Sequence, residues 1–182
     1  MRPSASNRNA RPNPQALRDI DSLLQQKRYR EALVAVAPLA EQFPCHPEVL
    51  MQHGCALAWT SDFSKAEPLL LQALEHYPKR VSLLTLLSRC YFETQRYEDA
   101  ERVLAVALQK ISGHLDALYM LGRVKAERGD HPAAEAAFRR ALAQYPTSGS
   151  LNYSVALYHH YTAADAIFTQ LPAALKQPSH SY

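Results

Sequence analysis

Residues 128–142 read Arg128-Gly129-Asp130-His131-Pro132-Ala133-Ala134-Glu135-Ala136-Ala137-Phe138-Arg139-Arg140-Ala141-Leu142, and Pro146 follows four residues on. Gly129-Asp130 reads as a turn. Asp130 can cap a helix, and Pro132 falls in the first helical turn, where its missing N–H costs little. The alanines and Phe138 keep helical spacing until Pro146 stops it. Ahead of the turn, Leu118, Leu121 and Gly122 share one face of a helix predicted from Leu115 to Glu127. The stretch is a helical hairpin.

The hairpin recurs every 34 residues. One step back, Tyr97-Glu98-Asp99-Ala100-Glu101-Arg102-Val103-Leu104 leads to Ala107-Leu108. A second step gives Phe63-Ser64-Lys65-Ala66-Glu67-Pro68-Leu69-Leu70, then Ala73-Leu74 and Pro78. A third gives Tyr29-Arg30-Glu31-Ala32, then Val36 and Pro44. Ala32, Ala66, Ala100 and Ala134 share one place, and Tyr29, Phe63 and Tyr97 another, with His131 the exception. Pro44, Pro78 and Pro146 share a third, where Ser112-Gly113 substitutes. One short hairpin cannot bury its own apolar face, but stacked hairpins can.

This pattern resembles the tetratricopeptide repeat (TPR) family. The repeat at 115–148 supplies Leu118, Leu121, Gly122, Gly129, Ala134, Phe138, Ala141 and Pro146 at the family's places, with Lys125 where the family has Tyr. The repeat at 81–114 supplies Leu84, Leu87, Tyr91, Ala100, Leu104 and Ala107, with Ser88 for Gly. That at 47–80 supplies Leu50, Gly54, Ala66, Leu70, Ala73 and Pro78, with His53 for Leu. The first, 13–46, keeps Tyr29, Ala32 and Pro44. The resemblance implies an all-α, right-handed superhelical solenoid of about four TPR hairpins plus a degenerate C-terminal capping hairpin. Gly54, Gly122 and the four alanines are expected where the helices of a hairpin approach closely.

The ends read differently. Residues 1–14, MRPSASNRNARPNP, carry Arg2, Arg8 and Arg11 and no acid. Pro3, Pro12 and Pro14 spoil the amphipathic helix of a transit peptide, so the segment reads as a disordered basic tail before the repeats of 15–148. Residues 149–182 read as a degenerate fifth repeat and a frayed terminus. Ala163-Ala164-Asp165-Ala166-Ile167-Phe168 echoes Ala133 to Phe138, but 30 residues on, which predicts a shortened turn near His160-Tyr161-Thr162. Pro172 is expected to end or bend the last helix. Asp165 and Lys176 are the only charged side chains there, among Tyr153, Tyr158, Tyr161 and Phe168. Such a surface is expected to pack inward, or to be covered by a partner or a second copy as a homodimer through 149–182.

Composition narrows the function. In 182 residues there are 28 alanines, which favour helix, and only 5 glycines. The formal charge of +3 equals the charge of the three tail arginines, so the remaining body is neutral. Nucleic-acid binding loses its main electrostatic support. No apolar run approaches the ~20 residues that span a bilayer. Cys45, Cys55 and Cys90 are odd in number and follow no secretory signal, so they read as reduced thiols of a cytoplasmic protein.

No Gly-rich phosphate loop, His-Glu-x-x-His, Cys-x-x-Cys or Ser nucleophile elbow occurs. Cys45, His46, His53 and Cys55 match no structural zinc spacing, and His159-His160, adjacent on a helix, do not share a face. Glu98, Asp99 and Glu101 read as a solvated helix side. No catalytic residue, metal site or cofactor is expected.

By the TPR resemblance, the first helices line a concave groove. Its expected partner-binding residues are Met51, Cys55 and Trp59 in the second repeat, Arg89 and Phe92 in the third, Tyr119 and Arg123 in the fourth, and Tyr153 and Leu157 in the fifth. One TPR subclass grips chaperone C-termini through Lys, Asn and Arg at fixed places. Here those places hold Leu17, Asp21, Gln52, Ser82 and Leu86 in one frame, and Met51, Cys55, Leu86, Asp116 and Met120 in the other, so that role is not expected. An apolar groove with two arginines suits an extended or helical protein segment. The expectation is a non-enzymatic adaptor or chaperone. In size it resembles the small TPR chaperones of bacterial secretion systems. The alternatives are an assembly subunit docking through its C-terminal repeat, or a regulatory subunit of an enzyme on another chain.

Overall fold

The computed structural model describes residues 11–170, and of Thr162 and residues 164–170 the backbone only. The expectations for the tail at 1–10, for Pro172 and Lys176, and for the side chains of Asp165 and Phe168 lie outside the described residues. Among the described residues there are nine helices: α1 (Pro14–Gln25), α2 (Tyr29–Gln42), α3 (Pro47–Trp59), α4 (Phe63–His76), α5 (Val81–Glu93), α6 (Tyr97–Lys110), α7 (Leu115–Glu127), α8 (His131–Gln144) and α9 (Gly149–Gln170). They contain no strand.

Local chemistry sets the boundaries. Asn13 accepts from the Gln15 N–H and Pro14 opens α1, so the final residues of the expected tail start the first helix. Asp130 accepts from the Ala133 N–H and caps α8, with Pro132 in the first turn. The turn inside each hairpin has one geometry. Lys27, Ser61, Gln95 and Gly129 occupy the same repeat place, with φ of +61°, +69°, +60° and +77°. The N–H groups of Arg28, Asp62 and Asp130 donate to the carbonyls of Leu23, Leu57 and Lys125, five residues back, at 2.9–3.0 Å. This is a Schellman end, which needs one left-handed residue. Only the fourth repeat supplies glycine for it.

The helices form two compact bodies that divide after Gln95: an N-terminal body of α1–α5 and a C-terminal body of α6–α9. The third repeat, 81–114, therefore contributes α5 to one body and α6 to the other. In the N-terminal body α3 packs against α1, α2, α4 and α5. It is buried almost all round, from Val49 to Ala58. Leu17 and Ile20 of α1, Ala32 and Val36 of α2, and Val49 and Ala56 of α3 make one apolar cluster. Gln52 is fully buried among them and donates to the Leu17 carbonyl at 2.8 Å. The second helices bury only a stripe: Ala66, Leu70 and Ala73 of α4, and Ala100, Leu104 and Ala107 of α6.

The small places behave as expected. All four repeat alanines are fully buried. A Cβ on Gly54 would lie 3.0 Å from Leu70 Cδ2, and one on Gly122 would lie 2.6 Å from Phe138 Cε1. Ser88, at the equivalent place in α5, is buried and satisfies its hydroxyl by donating to the Thr85 carbonyl at 2.6 Å.

The C-terminal segment corrects the expected capping hairpin. There is no turn near His160-Tyr161-Thr162: α9 runs unbroken through Gly149–Gln170. Nothing there breaks a helix. The stretch from Gly149 to Gln170 has no proline and no internal glycine, and its alanines favour continuation. Leu151 and Val155 join the cluster of Leu118, Ala134, Phe138 and Ala141, so the start of α9 packs onto α7 and α8.

Candidate functional site

Each body carries its own share of the expected partner-binding residues. In the N-terminal body, Trp59 ends α3 and keeps 43% of its surface exposed. The Tyr29 ring stacks on it at 5.0 Å and 7°, and the Arg89 guanidinium lies over it at 4.2 Å. Trp59 and Arg89, expected in one groove, are thus in direct contact. Burial pushes the Tyr29 phenol up, against a smaller opposing effect of the Arg89 charge. Met51 and Phe92 are buried, at 6% and 8% exposure; α3 packs against four helices, and α5 against α3 and α4. Burial pushes the Cys55 thiol up to about 12, with Arg80 pulling weakly the other way, and the Cys90 thiol to about 11. Both are protonated at neutral pH.

In the C-terminal body, Tyr119 and Arg123 are half-buried one turn apart on α7. The Tyr119 ring meets Phe138 edge-on at 5.7 Å, and Phe138 stacks on Tyr158 at 5.4 Å. Tyr158 continues to Tyr161, at 6.1 Å, and to His131, at 6.0 Å. Tyr153 points away, 68% exposed, and Leu157 is half-buried. The aromatic chain therefore runs through Tyr158, the residue after Leu157, and not through Tyr153. The signal was present at His131, where the other repeats carry an aromatic ring: the histidine ring lies tilted, at 33°, against Tyr158 and Tyr161.

Charge surrounds these surfaces without forming a reactive centre. Glu101 of α6 accepts from Lys125 at 2.5 Å and from Arg128 at 2.6 Å. Lys125, where the family has Tyr, ties α7 to α6. Glu135 of α8 pairs with Arg139 at 2.7 Å and His159 at 3.1 Å. Burial pushes the Glu135 carboxyl up, but Arg139 and His159 together hold it below its ordinary value. Among the described residues, no three His, Cys, Asp or Glu side chains gather as a metal site, and no helix is long and apolar enough to cross a membrane.

Tetratricopeptide repeat models match residues 60–111 and 116–148. The chain is a tetratricopeptide repeat protein. Solved structures of MamA are similar to this TPR chain. MamA AMB-1 aligns with a TM-score of 0.70 and 20% identity, over 81% of this chain and 88% of that one. MamA MSR-1 gives 0.67 and 23%, over 82% and 86%. MamA from Desulfovibrio magneticus RS-1, residue 41 to its end, gives 0.65 and 17%, over 75% and 78%. Likeness at such identities speaks for the fold, an all-α helical-repeat solenoid. No curated protein matches the chain by sequence. The TPR class makes this chain a protein–protein interaction module.

Proposed function

We propose that the chain is a non-catalytic adaptor or chaperone whose first helices hold a protein segment, extended or helical. The observation that carries this reading is a recurrent pair. Arg89 and Arg123 stand at the same place of successive repeats, each half-buried and each with an aromatic side chain nearby: Trp59 stacked on Arg89, and Tyr119 one turn before Arg123. Aromatic residues and arginine, partly desolvated, are what protein interfaces use as anchors. The test is co-purification with wild type and with Tyr119→Ala plus Arg123→Ala. Partners are expected to be lost from the double variant, and unchanged recovery discards the reading.

A second reading has its own observation. The described side chains of α9 include no Asp, Glu, Lys or Arg, while Tyr153 and Tyr161 stay 68% and 45% exposed. Solenoids close with a polar outer face, so an uncharged aromatic one favours an assembly subunit or a homodimer docking through α9. Tyr153→Ala with Tyr161→Ala separates the two readings. It would abolish docking or lower the molar mass seen by light scattering, and leave the α7 surface intact.

A further inference from the structure

An open cleft of about 460 Å³ lies in the N-terminal body, between the α1–α2 turn, at 27–31, and the end of α3 with the turn after it, at 59–61. It lies apart from the first-helix surface, sharing only Trp59 with it. Its charges are unbalanced. Arg28 and Glu31 neutralise each other, with a guanidinium–carboxylate contact of 2.6 Å. Lys27 and Arg30, both exposed, have no ion-pair partner among the described residues. Both faces of Trp59 are covered, by Tyr29 and by Arg89, so the indole offers a ligand its edge, and no planar group can stack there.

We propose that this cleft binds an acidic segment of a partner protein, its carboxylates on Lys27 and Arg30 and an adjacent apolar side chain against the edge of Trp59. Charge decides the occupant. The chain's own N-terminal tail is all-basic, with Arg2, Arg8 and Arg11, and residues 171–182 offer only Lys176. Neither can complement the two cations. Long, exposed cations on a rim suit a flexible peptide better than a small ion, which needs a close set of converging donors. The proposal rests on the chain being an interaction module, but on a different surface from the one proposed above.

Trp59 is the chain's only tryptophan, so its emission reports on the cleft directly. The probes are the synthetic peptides EELFEEL and QQLFQQL, titrated at constant ionic strength. EELFEEL is expected to bind saturably and shift the Trp59 emission. QQLFQQL, and EELFEEL on the Lys27→Glu plus Arg30→Glu variant, should each bind at least about tenfold more weakly. Both positions are exposed, and unchanged thermal melts would establish that the variant folds. Tyr119→Ala plus Arg123→Ala should bind EELFEEL as wild type does, so failure here and failure of the first-helix reading are distinct results. The proposal is overturned by no saturable binding up to about 1 mM peptide, by equal affinity in the charge-reversed variant, or by equal affinity for the neutral peptide. It is also overturned if inorganic phosphate displaces the peptide, which would make the cleft a small-anion site.

Discussion

Lys27, Ser61 and Gln95 sit in left-handed backbone that only Gly129 adopts at no cost. A non-glycine residue there costs roughly 1–2 kcal/mol, partly offset by the greater freedom glycine has when unfolded. Gln95→Gly, at an exposed site, should therefore raise stability by about 0.5–1 kcal/mol, and Gly129→Ala should lower it by about 1 kcal/mol or more. Thermal melts of the two variants check both signs. Gly122 poses the opposite problem. Its Cβ would fall 2.6 Å from a buried ring, Phe138, that is itself held between Tyr119 and Tyr158. Gly122→Ala should cost on the order of 1–3 kcal/mol. Gly54→Ala should cost less, because its nearest neighbour, Leu70 Cδ2, stands farther off, at 3.0 Å. A larger loss at Gly54 would mean that Phe138 yields more easily than its packing suggests.

Between elements, the stripe of small residues decides how closely two helices approach. Ala100 is fully buried in α6, whereas Lys110 is exposed at the end of the same helix. Ala100→Leu should clearly lower the melting temperature, and Lys110→Leu should hardly change it. Equal melting temperatures would refute the repeat phase. That phase was legible because each repeat restates it: a fully buried alanine in α2, α4, α6 and α8 is four independent readings of one contact. The turn geometry at Lys27, Ser61 and Gln95 was not legible, since Lys, Ser and Gln do not announce a positive φ. The end of the chain misled for a related reason. The segment from Ala163 to Phe168 imitates the start of α8, but the imitation lacks the Gly129-Asp130 pair and the proline that terminate one helix and cap the next. Without them α9 continues. The TPR resemblance placed all of the expected partner-binding residues on first helices. It could not say that Met51 and Phe92 would be covered, because burial depends on which other helices pack alongside.

Across the whole molecule, the thiols of Cys55 and Cys90, two tyrosines and Glu135 set how stability depends on pH. Cys55 and Cys90 keep their protons in the fold well above the ordinary 9.0, to about 12 and about 11, because burial penalises the thiolate. The unfolded chain releases those protons near 9.0. Above that pH the folded state binds more protons than the unfolded one, so stability must fall as pH rises toward the folded values. Tyr29 and Tyr158, also raised by burial, act in the same direction above 10.0. Glu135 has the opposite sign: held low by Arg139 and His159, it stabilises at neutral pH and that contribution is lost on acidification. A series of urea denaturation midpoints should therefore show a plateau near neutrality and a decline beyond about pH 9. Replacing both Cys55 and Cys90 with alanine should flatten the first part of that decline while leaving the acid side unchanged. Labelling supplies an independent check. Exposed Cys45 should react with a disulfide reagent at once, partly exposed Cys55 more slowly, and buried Cys90 only at the rate the fold opens. Cys90 reacting as fast as Cys45 in the native protein would mean that the burial assigned to α5 does not exist, and the alkaline decline would lose its share from that thiol.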